Sequence, residues 1–148
     1  MLSYEKIFSR VRNKIDDPKE LSLDLSILNE IYVERLHSVV GNQRVRRLFS
    51  SIRLDDEINE IDYQLENSVD EYSDEDFVIE LFVLGMVIEW LQPKVDSILF
   101  TAPMIGGKEE KKILDHHKDT INRLDSLKVE LEKKIRDYGY MYNSYIGN

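Results

Sequence analysis

Two short fragments of the chain contain residue types that hold phosphate or metal in other proteins. The first, Gly106-Gly107-Lys108, has two glycines followed by a lysine, as a phosphate-binding loop does. That motif also needs a glycine five positions before Gly107 and a serine or threonine after the lysine. Ala102 and Glu109 occupy those positions. We therefore interpret the fragment as a turn into a helix, whose free N–H groups could attract an anion but form no nucleotide site.

The second fragment, Asp115-His116-His117, resembles the name-giving triplet of a metal-dependent phosphoesterase family. That family also places aspartates on a parallel sheet, and the sequence predicts no such sheet. Consecutive helical residues point about 100° apart, whereas a helical metal pair needs i and i+4 spacing, so the three side chains cannot converge on one ion. We interpret His117 as a histidine that packs on an apolar seam or faces a partner. We predict no metal site and no cofactor.

A third candidate lies in an acidic segment. Asp55, Glu57 and Asn59 alternate as calcium ligands do, but Glu60 stands where an EF-hand loop requires glycine. We interpret these residues as a solvated face or as a docking surface for a basic partner. No serine, histidine and carboxylate combination is apparent, so the sequence predicts a protein that is not an enzyme and has no small-molecule substrate.

Charge is distributed unevenly along the chain. The net charge is −9, and residues 54–93 contain thirteen acidic residues and no basic one. This segment would repel phosphate, so nucleic-acid binding is disfavoured. A basic cluster elsewhere could bind phosphate, an acidic neighbour or only water, and the sequence leaves these alternatives open. The residues predicted to make charged contacts with partners are Arg44, Arg46, Arg47, Asp55, Asp56 and Glu57.

The composition describes one folded domain over residues 1–148, with 42% hydrophobic and 33% charged residues. The absence of cysteine excludes disulfides and thiolate chemistry. Neither a secretory signal nor a membrane span is expected, because the apolar runs are too short and are interrupted by charge.

Hydrophobic periodicity predicts an all-α fold. Ser3 is a predicted N-cap, Asp17 with Pro18 starts the second helix, and Gly41 ends it, although the start of that helix could instead be extended. Residues 67–76 and 101–107 are predicted to be loops, and Ser73 is predicted to cap the central helix. The predicted helices cover residues 4–15, 18–39, about 43–54 and the buried stretch 77–91. Pro93 is expected to kink this buried helix, which could continue by one or two turns to Phe100.

The last predicted helix runs from about Lys108 to Tyr138, with a heptad-like apolar seam and an end at Gly139. Its length of about 45 Å exceeds what a compact domain of this size needs. The tail 139–148 is rich in tyrosine and is expected to dock on a surface. The tyrosines predicted to act as docking anchors are Tyr138, Tyr140, Tyr142 and Tyr145.

Three features of the second half of the chain carry a resemblance to a known class. These are Glu89-Trp90-Leu91 before a proline, the Gly-Gly-Lys-Glu loop, and a long charged helix that ends in Arg136-Asp137-Tyr138-Gly139-Tyr140. On these features, residues 77–145 resemble small helical virion proteins of tailed bacteriophages, of the portal-proximal, neck or head-to-tail connector type. The resemblance implies a structural subunit that contacts portal, capsid or tail proteins through its long helix and tail.

We therefore expect a helical bundle of four to six helices, with a central buried helix and a long C-terminal helix. The expected function is that of a non-enzymatic virion subunit that binds other virion proteins and copies of itself, present in the host cytoplasm before assembly. The alternative is a soluble acidic phage protein that inhibits or adapts a host protein. An enzyme that uses His116 or His117 with a metal ranks last.

Overall fold

The computed structural model describes the backbone of residues 1–146 and the side chains of residues 1–138. The protein is mainly helical, which confirms the predicted fold class. Two of the seven helices in the described backbone are single turns, and a small sheet accompanies them. The helices are α1 Tyr4–Lys14, α2 Pro18–Leu21, α3 Leu25–Val40, α4 Gln43–Arg46, α5 Glu71–Ile105, α6 Gly107–His116 and α7 Lys118–Ile146. The strands are β1 Leu2–Ser3, β2 Phe49–Asp55 and β3 Glu60–Leu65.

Helix α5 is the centre of the core, as the sequence predicts. It is apolar around its whole circumference between Val78 and Leu91, and α1, α3 and α7 pack against it. Phe8 of α1 meets Tyr32 of α3 edge to face at 5.4 Å between ring centroids. Leu124 of α7 is buried in the same core. Glu80 and Glu89 are exposed, but the other residues of this stretch are apolar, so α5 must bury most of its surface against its neighbours.

The bounds of α5 differ from the prediction at both ends. Asp70, rather than Ser73, is the N-cap, and its carboxylate accepts a hydrogen bond from the Ser73 N–H at 2.7 Å. The helix then continues through Pro93 and Pro103 to Ile105, so the predicted loop over 101–107 is wrong. Both prolines are exposed, and water can reach the carbonyl groups that each proline deprives of a helical N–H.

The predicted helix over 43–54 is wrong beyond Arg46. Strands β2 and β3 form an antiparallel hairpin, and β1 adds to β3, which gives the order β1-β3-β2. Val45, Leu48, Phe49 and Ile52 fit helical spacing by coincidence. The alternation of apolar side chains along both strands places one sheet face on α5, where Phe49 stacks on Phe82 at 5.7 Å.

Two further predicted helices are each divided. Asp17 caps a single turn, as predicted, but Asp24 caps a new helix, where its carboxylate accepts a hydrogen bond from the Ser26 N–H at 3.0 Å. The long C-terminal helix is interrupted at His117, whose φ of −101° and ψ of 12° end α6. Helix α7 then runs past Gly139 to Ile146, so the predicted end at Gly139 is also wrong.

Candidate interaction surfaces

The two fragments that resemble phosphate and metal motifs lie at the two ends of α6. Gly106 and Gly107 form the turn between α5 and α6, with φ values of 70° and 63°. The rings of His116 and His117 lie edge to face at 4.8 Å, at the break between α6 and α7. Among the described residues, no three histidine or acidic side chains are grouped so that they could hold a metal ion. None of the described helices is both long enough and apolar enough to cross a membrane.

The predicted arginine cluster lies on α4 and makes contacts within the chain. Arg44 forms an ion pair with Glu132 of α7. The guanidinium of Arg46 donates a hydrogen bond to the carbonyl oxygen of Phe49 at 2.9 Å, which links α4 to the start of β2. Arg47 is exposed at the C-cap of α4. Two of the three arginines therefore join elements of the fold, and their predicted role toward a partner stays a prediction.

The predicted acidic cluster lies in the turn between β2 and β3. Asp55 accepts a hydrogen bond from the Glu57 N–H at 3.1 Å, which stabilises the turn, and Glu57 itself is exposed. Asp56 accepts a hydrogen bond from the hydroxyl of Tyr4 at 2.5 Å and lies 2.8 Å from the Nε2 atom of His37. The Tyr4 hydroxyl, together with His37, lowers the pKa of the Asp56 carboxyl below its usual range. Asp56 thus ties the turn to α1 and α3.

The structure does not bring the arginine and acidic clusters together. They lie at opposite ends of β2, which spans residues Phe49–Asp55. At about 3.3 Å per residue, the two ends of this strand are roughly 20 Å apart. The two clusters can therefore meet each other only between different copies of the chain.

Tyr138 packs inside its own chain. Its ring stacks on Phe77 with 4.9 Å between centroids, and its hydroxyl accepts a hydrogen bond from the Asn67 N–H at 2.8 Å. The other predicted anchors, Tyr140, Tyr142 and Tyr145, lie outside the residues whose side chains the structure describes.

The sequence interpretation missed an apolar surface at the end of α5. We call the two-helix unit formed by residues 96–105 of α5 and all of α6 the hairpin tip. From Asp96 to His117, Ala102 is the one buried residue. Phe100 and Met104 are 72% and 74% exposed. They are one helical turn apart, and each points about 160° away from Ala102 around the helix axis. Phe100 and Met104 therefore form an apolar surface that faces solvent on the side of α5 opposite Ala102.

The apolar surface contains two further side chains. Leu99 and Ile105 lie next to Phe100 and Met104 but nearer to the buried side, each about 60° from Ala102 around the helix axis, and are about half exposed. The signal for this surface was present in the stretch ILFTAPMI, which is almost wholly apolar. Pro103 and the glycine pair led to the interpretation of residues 101–107 as a loop, in which Met104 and Ile105 would not share a helix face with Leu99 and Phe100.

The base of the hairpin tip is held by a cluster around Trp90. Lys94 and Arg123 each lie over the indole ring, at 5.4 and 5.5 Å from its centroid. The indole N–H donates to the carboxylate of Asp17 at 3.3 Å, and Lys94 pairs with the same carboxylate at 2.9 Å. The Lys94 ammonium, together with N–H groups of Glu20 and Trp90, lowers the pKa of Asp17 to about 2. This cluster joins α2, α5 and α7 at the level where the tip begins.

Comparisons with known proteins identify no relative of this chain. No family model matches it, and neither the curated proteins nor the solved structures contain a significant match.

Proposed function

We propose that the protein is a non-enzymatic structural subunit of a tailed-phage virion that assembles at the head-to-tail region. Its partners in this proposal are portal, capsid or tail proteins and copies of itself. The phage assignment rests on the sequence resemblance of residues 77–145. That range contains the whole hairpin tip, so the part of the chain that carries the resemblance also carries the exposed apolar surface.

The single observation that supports a docking role is the apolar surface of Leu99, Phe100, Met104 and Ile105. Contiguous apolar surface on a protein marks interaction sites, and phenylalanine and methionine are enriched at their centres. Full burial of one such side chain contributes roughly 1.5–3 kcal/mol. Phe100 and Met104 would supply most of this gain, because Leu99 and Ile105 are already about half buried, and the gain would offset part of the cost of association, which is about 4–15 kcal/mol.

The test compares a double variant of the apolar surface with a control variant elsewhere. Phe100→Asp with Met104→Asp places two charges in the apolar surface, whereas Val129→Asp places a charge at another exposed apolar residue, on α7, that is 67% exposed. Each protein is mixed with the portal, capsid and tail proteins encoded with it, and complexes are measured by light scattering. We expect the wild type and Val129→Asp to form the same discrete complex and the double variant to lose it.

Circular dichroism of each variant checks that the helices are intact. A double variant that is folded and assembles as well as the wild type would exclude the apolar surface as the docking site. A wild-type protein that binds none of these partners would contradict the virion role.

A second candidate function is supported by the acidic segment. Exposed acids such as Glu57, Asp62 and Glu66 lie on or next to the β2-β3 hairpin, within the range 54–93 that contains no basic residue. A soluble protein that binds a basic surface of a host protein would use these residues, and its binding would weaken steeply with salt. Neutralising the three acids would abolish such binding, whereas Phe100→Asp would leave it unchanged.

A further inference from the structure

The turn between α5 and α6 depends on glycine for its backbone conformation alone. Gly106 has φ 70° and ψ 177°, and Gly107 has φ 63°. Residues other than glycine rarely adopt such angles. Space is not the limit, because a Cβ at Gly106 would meet only the Pro103 carbonyl oxygen at 3.8 Å, and one at Gly107 would have no heavy atom within 4 Å. Alanine at either position therefore disfavours the closed turn without creating a clash.

Helices α6 and α7 form a unit that this turn joins to the rest of the fold. We call residues 107–146 the C-terminal arm. The arm lies along α5, with Leu124 buried and a seam that continues through Leu127 and Leu131. Its polar contacts with the body are specific. Arg123 donates to the Lys14 carbonyl oxygen at 2.9 Å, and the pairs described above join Glu132 to Arg44 and Tyr138 to Asn67.

We infer that the glycine pair holds each C-terminal arm on its own chain, and that two copies exchange their arms when this turn is opened. In the exchanged dimer the glycine turn becomes helical, so that residues 71–116 form one helix about 70 Å long. Each arm then packs on α5 of the other copy. The occupant is a second copy because only an identical arm reproduces the same seam, together with the contacts of Arg123, Glu132 and Tyr138.

The two glycines set the balance between the closed and exchanged forms. The closed turn needs two positive φ values, which glycine adopts readily, whereas a continuous helix through the same positions is weakened by glycine. The segments on both sides of the turn are already helical, so opening it converts only these two residues. The exchange needs no second protein and is independent of a role in a virion.

The experiment replaces both glycines and measures mass. Wild type, Gly106→Ala with Gly107→Ala, and a Gly41→Ala control are followed by size exclusion with light scattering over a range of concentrations. Gly41 has φ −71°, which alanine adopts without strain. We expect the concentration at which half of the chains are dimeric to fall roughly a hundredfold or more in the double variant. The control should match the wild type.

Cross-linking separates an exchanged dimer from an ordinary one. The chain contains no cysteine, so Arg44→Cys with Glu132→Cys introduces the only two thiols. In the glycine double variant, a short bis-maleimide should then join two chains into a covalent dimer on a denaturing gel. In the wild-type background at low concentration, the same reagent should join the two positions within one chain. Inserting Gly-Ser-Gly between Gly106 and Gly107 should keep the protein monomeric, because a longer turn closes without strain.

Two results would overturn the exchange. One is a folded double variant that stays monomeric at every concentration, and the other is a dimer whose cross-links all lie within single chains. If the double variant does not fold, Gly107→Ala alone, where a Cβ has no neighbour, is measured in the same way, and a monomer there has the same meaning.

Discussion

Gly85 lies where α3 and α5 are in close contact, and replacing it with alanine tests how tightly the core is packed. A Cβ at this position would lie 2.6 Å from Cγ1 and 2.9 Å from Cγ2 of Val39. Valine is stiff about its first side-chain torsion, so it cannot turn both methyl groups away. The two helices would have to separate to admit one added methyl.

Two opposing effects determine the change in the free energy of unfolding. Replacing glycine by alanine inside a helix stabilises it by about 1 kcal/mol. Overpacking a core typically costs about 1–3 kcal/mol, and two contacts below 3 Å place Gly85→Ala toward the upper part of that range. We therefore expect Gly85→Ala to lower the free energy of unfolding by about 1–2 kcal/mol.

Urea denaturation followed by far-UV circular dichroism measures this loss, and Val39→Ala identifies its cause. Val39→Ala alone removes two buried methyl groups and should cost roughly 2 kcal/mol. In the double variant the new methyl group occupies the space that valine leaves. The two losses should therefore be non-additive. The double variant should be more stable, by about 1.5 kcal/mol or more, than the sum of the two single losses predicts. Ser97→Ala, at an exposed position of α5, should change stability by only a few tenths of a kcal/mol.

If Gly85→Ala instead stabilises the protein by the full helix-propensity gain, the close contact between α3 and α5 is wrong. Simple additivity of the two substitutions would refute the assignment of the loss to Val39.

Three further stability predictions concern polar groups that join distant elements. Lys94 lowers the pKa of Asp17 to about 2, so this pair adds stability above about pH 4 that is lost as the pH falls toward 2. Asp17→Asn keeps the helix cap. Allowing for solvent screening, it should lower the free energy of unfolding by roughly 1 kcal/mol at neutral pH but by little at pH 2. Urea titrations that show the same loss at both pH values would contradict the pairing. Asp56→Ala should cost about 1–2 kcal/mol and more than Tyr4→Phe, because only the former leaves a buried hydroxyl without its acceptor; equal losses would refute this reasoning. Tyr138→Phe removes the acceptor of one backbone N–H and should cost about 1 kcal/mol in the same assay, whereas no change would mean that water replaces the hydroxyl.

Sequence patterns predicted those parts of the fold that depend on local signals. The apolar run from Phe77 to Leu91 could only be a buried helix, and the caps at Ser3 and Asp17 are confirmed by hydrogen bonds to Glu5 and Glu20. A capping side chain acts on an N–H two or three residues away, so its evidence is complete within one turn of sequence.

The β2-β3 hairpin could not be predicted in the same way because its evidence is not local. The turn contains no glycine, and Asn59 adopts the positive φ of 54° that such turns require. The apolar residues of β2 fit a helix as well as a strand until Ile61 and Leu65 are paired opposite Leu54 and Phe49. A similar limit applies to the hairpin tip, where the tolerance of α5 for Pro103 depends on solvent access rather than on sequence.

The position of β1 in the sheet has a consequence for how the protein folds. Leu2 is fully buried and pairs with Ile61. Strand β1 can therefore form only after residues 2 and 61, which are far apart in the sequence, have come together. Contacts between residues so far apart in sequence carry a large loop-closure entropy, whereas the helices and the β2-β3 hairpin form from neighbouring residues. We expect β1 to join the sheet after the transition state for folding. Weakening this strand would then shorten the lifetime of the native state while leaving the rate of folding almost unchanged.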